Sequence, residues 1–249
     1  MLFTPEGIDL SEVSQRRQGA FLFQAQHHVY PVDRGIDSYN YLLPKFNNIK
    51  VTQHIDSRID AGARELRVLD IGCGRGVFLA SLARKHPEVR AFGISAYDYR
   101  PRDKFSEGLL SEIDYRVGDG NKLKEVFADT QFDIITSLYA LQYFADPLNV
   151  IAQAYECASE GGLLLFDEFG PRMTIEQVEL LRKYWEKKGI QAELDRWVPS
   201  YEKFEPARYA LAVQKGTSVS LPLPFRYSLP DDPGSINFNY IFDETVARS

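Results

Sequence analysis

The segment Val68–Leu69–Asp70–Ile71–Gly72–Cys73–Gly74–Arg75–Gly76 sets glycines at alternate positions directly after an apolar run. Glycines so spaced permit a tight turn and let a ligand approach the backbone closely. A helix beginning at the turn adds free N–H groups and a partial positive end. Asp70 stands just before the first glycine. A carboxylate there would repel a pyrophosphate but suits the ammonium of an amino-acid ligand. A second acid, Asp119, lies in Tyr115–Arg116–Val117–Gly118–Asp119–Gly120 and can accept from an amino group, although Gly-Asp-Gly is also ordinary turn composition.

These residues need a scaffold of strands and helices. Short apolar runs predict strands at Arg67–Ile71, Val89–Ser95, Ile113–Val117, Phe132–Ser137 and Leu163–Phe166. Helical patterns fall at Val77–Lys85, Lys104–Leu110, Pro147–Ser159 and Ile175–Lys187. Ala192–Val198 and Ala207–Lys215 read as a closing hairpin pair. Continuous apolar strands alternating with helices imply a doubly wound α/β fold. Its seven-stranded sheet is mostly parallel, with an antiparallel last strand. Residues 1–64 read as a helical N-terminal cap, with one helix at Ser11–Gln18 and another over Ser38–Ile59 interrupted by Pro44. Residues 65–215 form the core, and 216–249 form a C-terminal extension. The aromatic residues of that extension (Phe225, Tyr227, Phe238, Tyr240, Phe242) could wrap the domain, close the pocket or mediate a homodimer.

The run VLDIGCGRG resembles the first motif of the seven-strand, Rossmann-like (class I) methyltransferases that use S-adenosylmethionine, and the resemblance extends over about residues 65–215. It implies that Gly72, Cys73 and Gly74 pack against the methionine part of the cofactor and that Asp70 orients its amino end. Gly118, Asp119 and Gly120 match the motif whose acid accepts from the adenine amino group. Ser137, Leu138 and Gln142 match a segment lining the junction of cofactor and acceptor. Tyr139 or Tyr143 could face the sulfonium there or simply pack in the core. The second strand departs from the pattern. It ends Gly93–Ile94–Ser95, where the family commonly has an acid for the ribose. Ser95, or Asp98 three residues on, would take that role. No Asn/Asp-Pro-Pro-aromatic motif follows the fourth strand, which speaks against amide or base nitrogen as the target.

Methyl transfer from a sulfonium mainly requires proximity, alignment and exclusion of water. A base is needed only for a poorly ionised nucleophile. His27 and His28 in the N-terminal segment and Glu168 just past the fifth strand are the candidates, with Tyr30 a weaker one. His86, before Pro87, reads as a surface helix end.

The 249 residues carry a net charge of -6 with a pI near 5.3, against a nucleic-acid surface. The densest basic stretch, Arg182–Lys183 with Lys187–Lys188, is interrupted by Glu186 and reads as a solvated helix face. Two cysteines, Cys73 and Cys157, imply neither a disulfide framework nor a metal site. No signal peptide or apolar span is visible, so a cytoplasmic enzyme acting on a small molecule, with no membrane partner, is the expectation. Two rivals remain. A nicotinamide-dependent oxidoreductase would use Tyr184 and Lys188, four apart on one helix face. A non-catalytic binding protein on the same fold would show weak or absent cofactor affinity.

Overall fold

The computed structural model describes residues 33–144, 146–167, 175–197, 208–218, 220–228 and 239–243. The Ser11–Gln18 helix prediction lies outside them. Helices α1 (Ile36–Leu42) and α2 (Val51–Asp60) precede the sheet. They replace the single predicted helix because Pro44 drives Leu43 into extended backbone, ψ 149°. The core then runs β1 (Leu66–Ile71), α3 (Val77–Lys85), β2 (Val89–Ser95), α4 (Lys104–Leu110), β3 (Asp114–Val117), α5 (Leu123–Phe127) and β4 (Phe132–Ser137). It continues through α6 (Pro147–Cys157), β5 (Ala158–Phe166), α7 (Ile175–Lys187), β6 (Gln191–Trp197) and β7 (Arg208–Gln214). A separate two-stranded ribbon, β8 (Phe225–Ser228) with β9 (Asn239–Phe242), follows.

The sheet order is β3-β2-β1-β4-β5-β7-β6, with β7 antiparallel to both neighbours and the other pairings parallel. The expected doubly wound, mostly parallel sheet is therefore present. Successive strands step outward from β1 in one direction and then, from β4, in the other. The crevice between β1 and β4 is the place where such sheets bind ligands.

Strand alternation divides the core. Val68, Ile134 and Leu165 face α1, α2 and α3, where Tyr39, Val51, Ile55, Phe78 and Leu82 are buried. Leu69, Ile71, Ile135 and Leu164 face α5, α6 and α7. Helix α2 lies along the first of these faces, and Arg58 near its end bonds the Gly161 carbonyl at 2.5 Å and approaches Asp133 at 3.6 Å. The stretch around 33–39, in contrast, meets the carboxyl ends of the strands through Asp33, Arg34 and Tyr39.

Two predicted boundaries need correction, and two elements are additional to the prediction, helix α5 and the β8–β9 ribbon. The α6 helix stops at Cys157, and β5 begins five residues before the predicted Leu163. The register against β4 jumps from Phe132↔Ala158 to Ile134↔Leu163. The polar Ser159–Gly162 stretch bulges out, with Gly161 at φ +72°, and so breaks the apolar pattern by which a strand is read. Helix α5 was not predicted. It is only five residues long, and its signal is the i,i+4 pair Leu123 and Phe127, both buried.

The C-terminal extension docks on the core. Trp185 of α7 is fully buried and its Nε1–H donates to the Pro222 carbonyl at 2.9 Å. Leu221 and Phe225 join the same apolar cluster. Trp185→Phe keeps most of the ring volume but leaves that carbonyl without its donor. Denaturant unfolding should show a loss of about 1–3 kcal/mol.

Candidate active site at the carboxyl ends of the strands

The parallel register fixes where Asp70 sits. It opposes Gly93 on β2 and Thr136 on β4. Its side chain lies on the face shared with α1 and α3 and is 1% exposed. Thr136 Oγ1 donates to Asp70 Oδ1 at 2.8 Å, and Tyr39 OH donates to Oδ2 at 2.5 Å. Tyr39 in turn stacks on Phe78, with ring centroids 3.7 Å apart and planes within 6°. Among the described residues no Lys or Arg pairs with Asp70. Burial therefore raises its pKa from 3.8 to about 7, against the pull of the two hydroxyl donors. Burial, followed by the Asp70 charge, also lifts the Tyr39 phenol and the Cys73 thiol well above their ordinary values.

The glycine loop is held tightly. Gly72, Gly74 and Gly76 have φ of +79°, +55° and +74°. The N–H groups of Gly72 and Cys73 donate to the Ile94 carbonyl at 2.8 and 3.2 Å. No side chain caps the N-terminus of α3. A Cβ on Gly72 would lie 2.2 Å from the Ala140 Cβ, and one on Gly93 would lie 2.6 Å from Cys73 Sγ. A Cβ on Gly120 would meet the Phe144 ring at 2.6 Å. Cys73 of the glycine loop and Ala140 and Phe144 of the loop after β4 thus fill the space that side chains at Gly93, Gly72 and Gly120 would need.

The remaining predicted site residues fall around this floor. Ser137 Oγ donates to the Ile71 carbonyl at 2.9 Å, tying the ends of β4 and β1. Leu138 is buried beside it. Ser95 is buried at the end of β2, and its Oγ accepts from Tyr97 N at 3.4 Å. Asp98 is half exposed, and both its oxygens are held by Arg100 at 2.9 and 2.8 Å. Asp119 Oδ1 accepts from the backbone N and side-chain Nδ2 of Asn121, at 2.9 and 3.0 Å. Gly118 precedes it and packs under Val126 and Ile94. Gln142 lies in the one-turn helix Leu141–Tyr143, and its side chain is outside the described residues. His27, His28, Tyr30 and Glu168 also lie outside the described residues.

Four residues absent from the sequence reading converge on the same edge: Tyr39, Thr136, Asp167 and Arg34. Asp167, buried at the end of β5, accepts from Tyr139 N at 2.6 Å and so holds Tyr139 at φ +56°. Arg34 lies 4.1 Å above the Tyr139 ring. Asp33 approaches Arg75 of the glycine loop at 3.4 Å. Thr136 could have been found only from the register, which sets it opposite Asp70. For Tyr39 and Arg34, nothing in residue type or spacing marks the contact.

The Tyr184 and Lys188 pair of the oxidoreductase alternative sits at the C-terminal end of α7. Tyr184 is buried in the core, and the Lys188 ammonium lies 5.6 Å from its ring centroid. Arg182 pairs with both Glu179 and Glu186, as a solvated helix face should. Among the described residues no His/Cys/Asp/Glu cluster could hold a metal ion, and no helix is long and apolar enough to cross a membrane.

Gly72→Ala would place a methyl group against Ala140 in a left-handed backbone conformation. It should lower unfolding free energy by about 1–3 kcal/mol, read by thermal or denaturant melting. Gly108→Ala, inside α4 where a Cβ meets nothing within 4 Å, should instead raise it by about 0.5–1 kcal/mol.

Residues 36–208 match the family described as "Methyltransferase domain". A ubiquinone biosynthesis O-methyltransferase of Hahella chejuensis is 29% identical over 252 residues, covering 95% of this chain and 94% of that protein. Its counterpart from Alkalilimnicola ehrlichii is 26% identical over 200 residues, 76% of this chain and 77% of that protein. Among solved structures, the CurJ carbon methyltransferase superposes with a TM-score of 0.52 at 13% identity, over 84% of this chain and 62% of that one, which speaks for the fold. The strand order, the glycine loop and the family match agree: the chain belongs to the class I methyltransferases, enzymes that take their methyl group from S-adenosylmethionine.

Proposed function

We propose that the chain methylates a small molecule in the crevice above β1 and β4, and that oxygen is the atom methylated. Asp70 carries the reading: a buried carboxylate with no cationic partner among the described residues is matched by the ammonium of the cofactor's methionine end. Glycines in the loop let that end lie close to the backbone. Asp119 keeps Oδ2 for a donor such as the adenine amino group. Ser95 and Asp98 serve the ribose, Asp98 sharing its charge with Arg100. Ser137, Leu138 and Gln142 line the junction with the acceptor. The names of the relatives favour oxygen.

When bound, S-adenosylmethionine supplies a methyl group already activated on a sulfonium. The chain's part is to hold the acceptor in line and keep water out. Tyr139, fixed by Asp167 and covered by Arg34, presents a rigid surface on the loop after β4. A hydroxyl acceptor must shed its proton, and His27, His28 and Glu168 are the bases this reading assigns. The net charge of -6 and the dispersed, ion-paired basic residues support a cytoplasmic small-molecule role over a nucleic-acid one, in a monomer or a homodimer.

Calorimetry with S-adenosylhomocysteine should show micromolar binding, weakened more than about 10-fold in Asp70→Ala and Gly74→Val. No binding at high ligand concentration would overturn the reading. Methyl transfer to a panel of phenols, carboxylic acids and amines then identifies the acceptor atom, and labelling of amines alone would exclude oxygen.

A further inference from the structure

Asp70 has two hydrogen-bond donors of different standing. Thr136 is fixed in β4, at the register position beside Asp70. Tyr39 comes from α1, a seven-residue helix with no side-chain N-cap. A helix of that length has little stability of its own, so contacts must seat it. Those contacts are the Tyr39–Phe78 stack, the bonds from Thr52 N and Oγ1 to Asn40 Oδ1 at 3.2 and 3.0 Å, and the bond from Tyr39 to Asp70. Just before α1, Asp33 meets Arg75 and Arg34 covers Tyr139. The segment thus spans the glycine loop and the loop after β4.

We propose that Tyr39 is a positioning residue that couples the seating of α1 to cofactor binding, its hydroxyl fixing the Asp70 carboxylate for the cofactor's ammonium. The proposal rests on the assignment of Asp70 as the ammonium's partner. Only an ionised Asp70 attracts that group. The ionisable groups facing it are Tyr39 from α1 and Cys73 from the glycine loop, with Asp167 at the end of β5 acting on Tyr39. Among the described residues none supplies positive charge. The hydroxyl of Tyr39 favours the ionised carboxylate, so without it Asp70 holds its proton to higher pH. Linkage makes the coupling reciprocal: if a seated α1 strengthens cofactor binding, the cofactor must hold α1 down to the same degree.

The test is calorimetry of S-adenosylhomocysteine on the full chain from pH 6 to 9, with hydrogen exchange of the α1 amides. Wild type should bind about 10-fold more weakly at pH 6 than at pH 8, as one carboxylate with a midpoint near 7 requires. Tyr39→Phe keeps the stack on Phe78. It should bind about 10-fold more weakly at pH 7, with its pH dependence displaced upward and the gap to wild type narrowing by pH 9. The ligand should slow exchange across Ile36–Leu42 in wild type and much less in Tyr39→Phe. Thr136→Val should weaken binding yet keep that protection. Wild-type affinity and pH profile in Tyr39→Phe, or tighter binding, overturns the proposal while leaving the cofactor assignment standing. Unchanged α1 exchange in liganded wild type overturns it without recourse to any variant. Absence of binding to wild type at every pH removes the cofactor assignment itself, and the proposal with it.

Discussion

The structure is organised around one buried carboxylate that has no counter-charge among the described residues. Removing an ion from water is costly, and a protein tolerates it only with compensating hydrogen bonds or a partner charge. Asp70 has the first from Tyr39 and Thr136, and among the described residues it lacks the second. Much follows from meeting that requirement. β4 must pair with β1 in the register that brings Thr136 alongside, and α1 must reach over the sheet end to deliver a phenol. A fold stabilised by burial alone would have put an apolar residue here. The acid reads instead as a place kept ready for a cation.

Around that acid the chain is built by subtraction. Gly72 lies against Ala140, Gly93 against Cys73 and Gly120 against Phe144, each where a Cβ would overlap a neighbour. Side chains from the glycine loop and from the loop after β4 thereby rest directly on the backbone of these glycines. Preorganisation of this kind matters for a reaction whose main demand is alignment, since atoms that need not move on binding incur no ordering cost. The left-handed Tyr139, pinned by Asp167, belongs to the same rigid rim.

How much of this was legible depended on whether a signal was local. The glycine loop and β1 to β4 declare themselves in runs of adjacent residues, and the predicted strands fall within a residue or two of the observed ones. Pro44 announced its break for the same reason. β5 was only half visible, because its Ser159–Gly162 bulge is polar and interrupts the apolar pattern without ending the pairing. Helix α5 was too short for periodicity to build up. At the site, Asp70 was legible because it abuts the glycines, whereas Tyr39 is 31 residues away and reaches it only through the docking of α1. Thr136 looked like any β-branched strand residue until register gave it a neighbour. The roles assigned to His27, His28 and Glu168 rest on order along the chain alone.

The reversed strand β7 separates the molecule's two ends. Running against its neighbours, it delivers the chain to the floor of the sheet, where Lys215 exchanges backbone bonds with Gly161 and Gly162 at the start of β5. The extension therefore leaves from the side opposite the glycine loop and first docks on α7 through Pro222 and Trp185. Material added or lost along that early stretch changes the underside of the molecule before it reaches the crevice. Packing changes along that stretch are therefore felt first at α7 and only through the sheet at the donor-binding end.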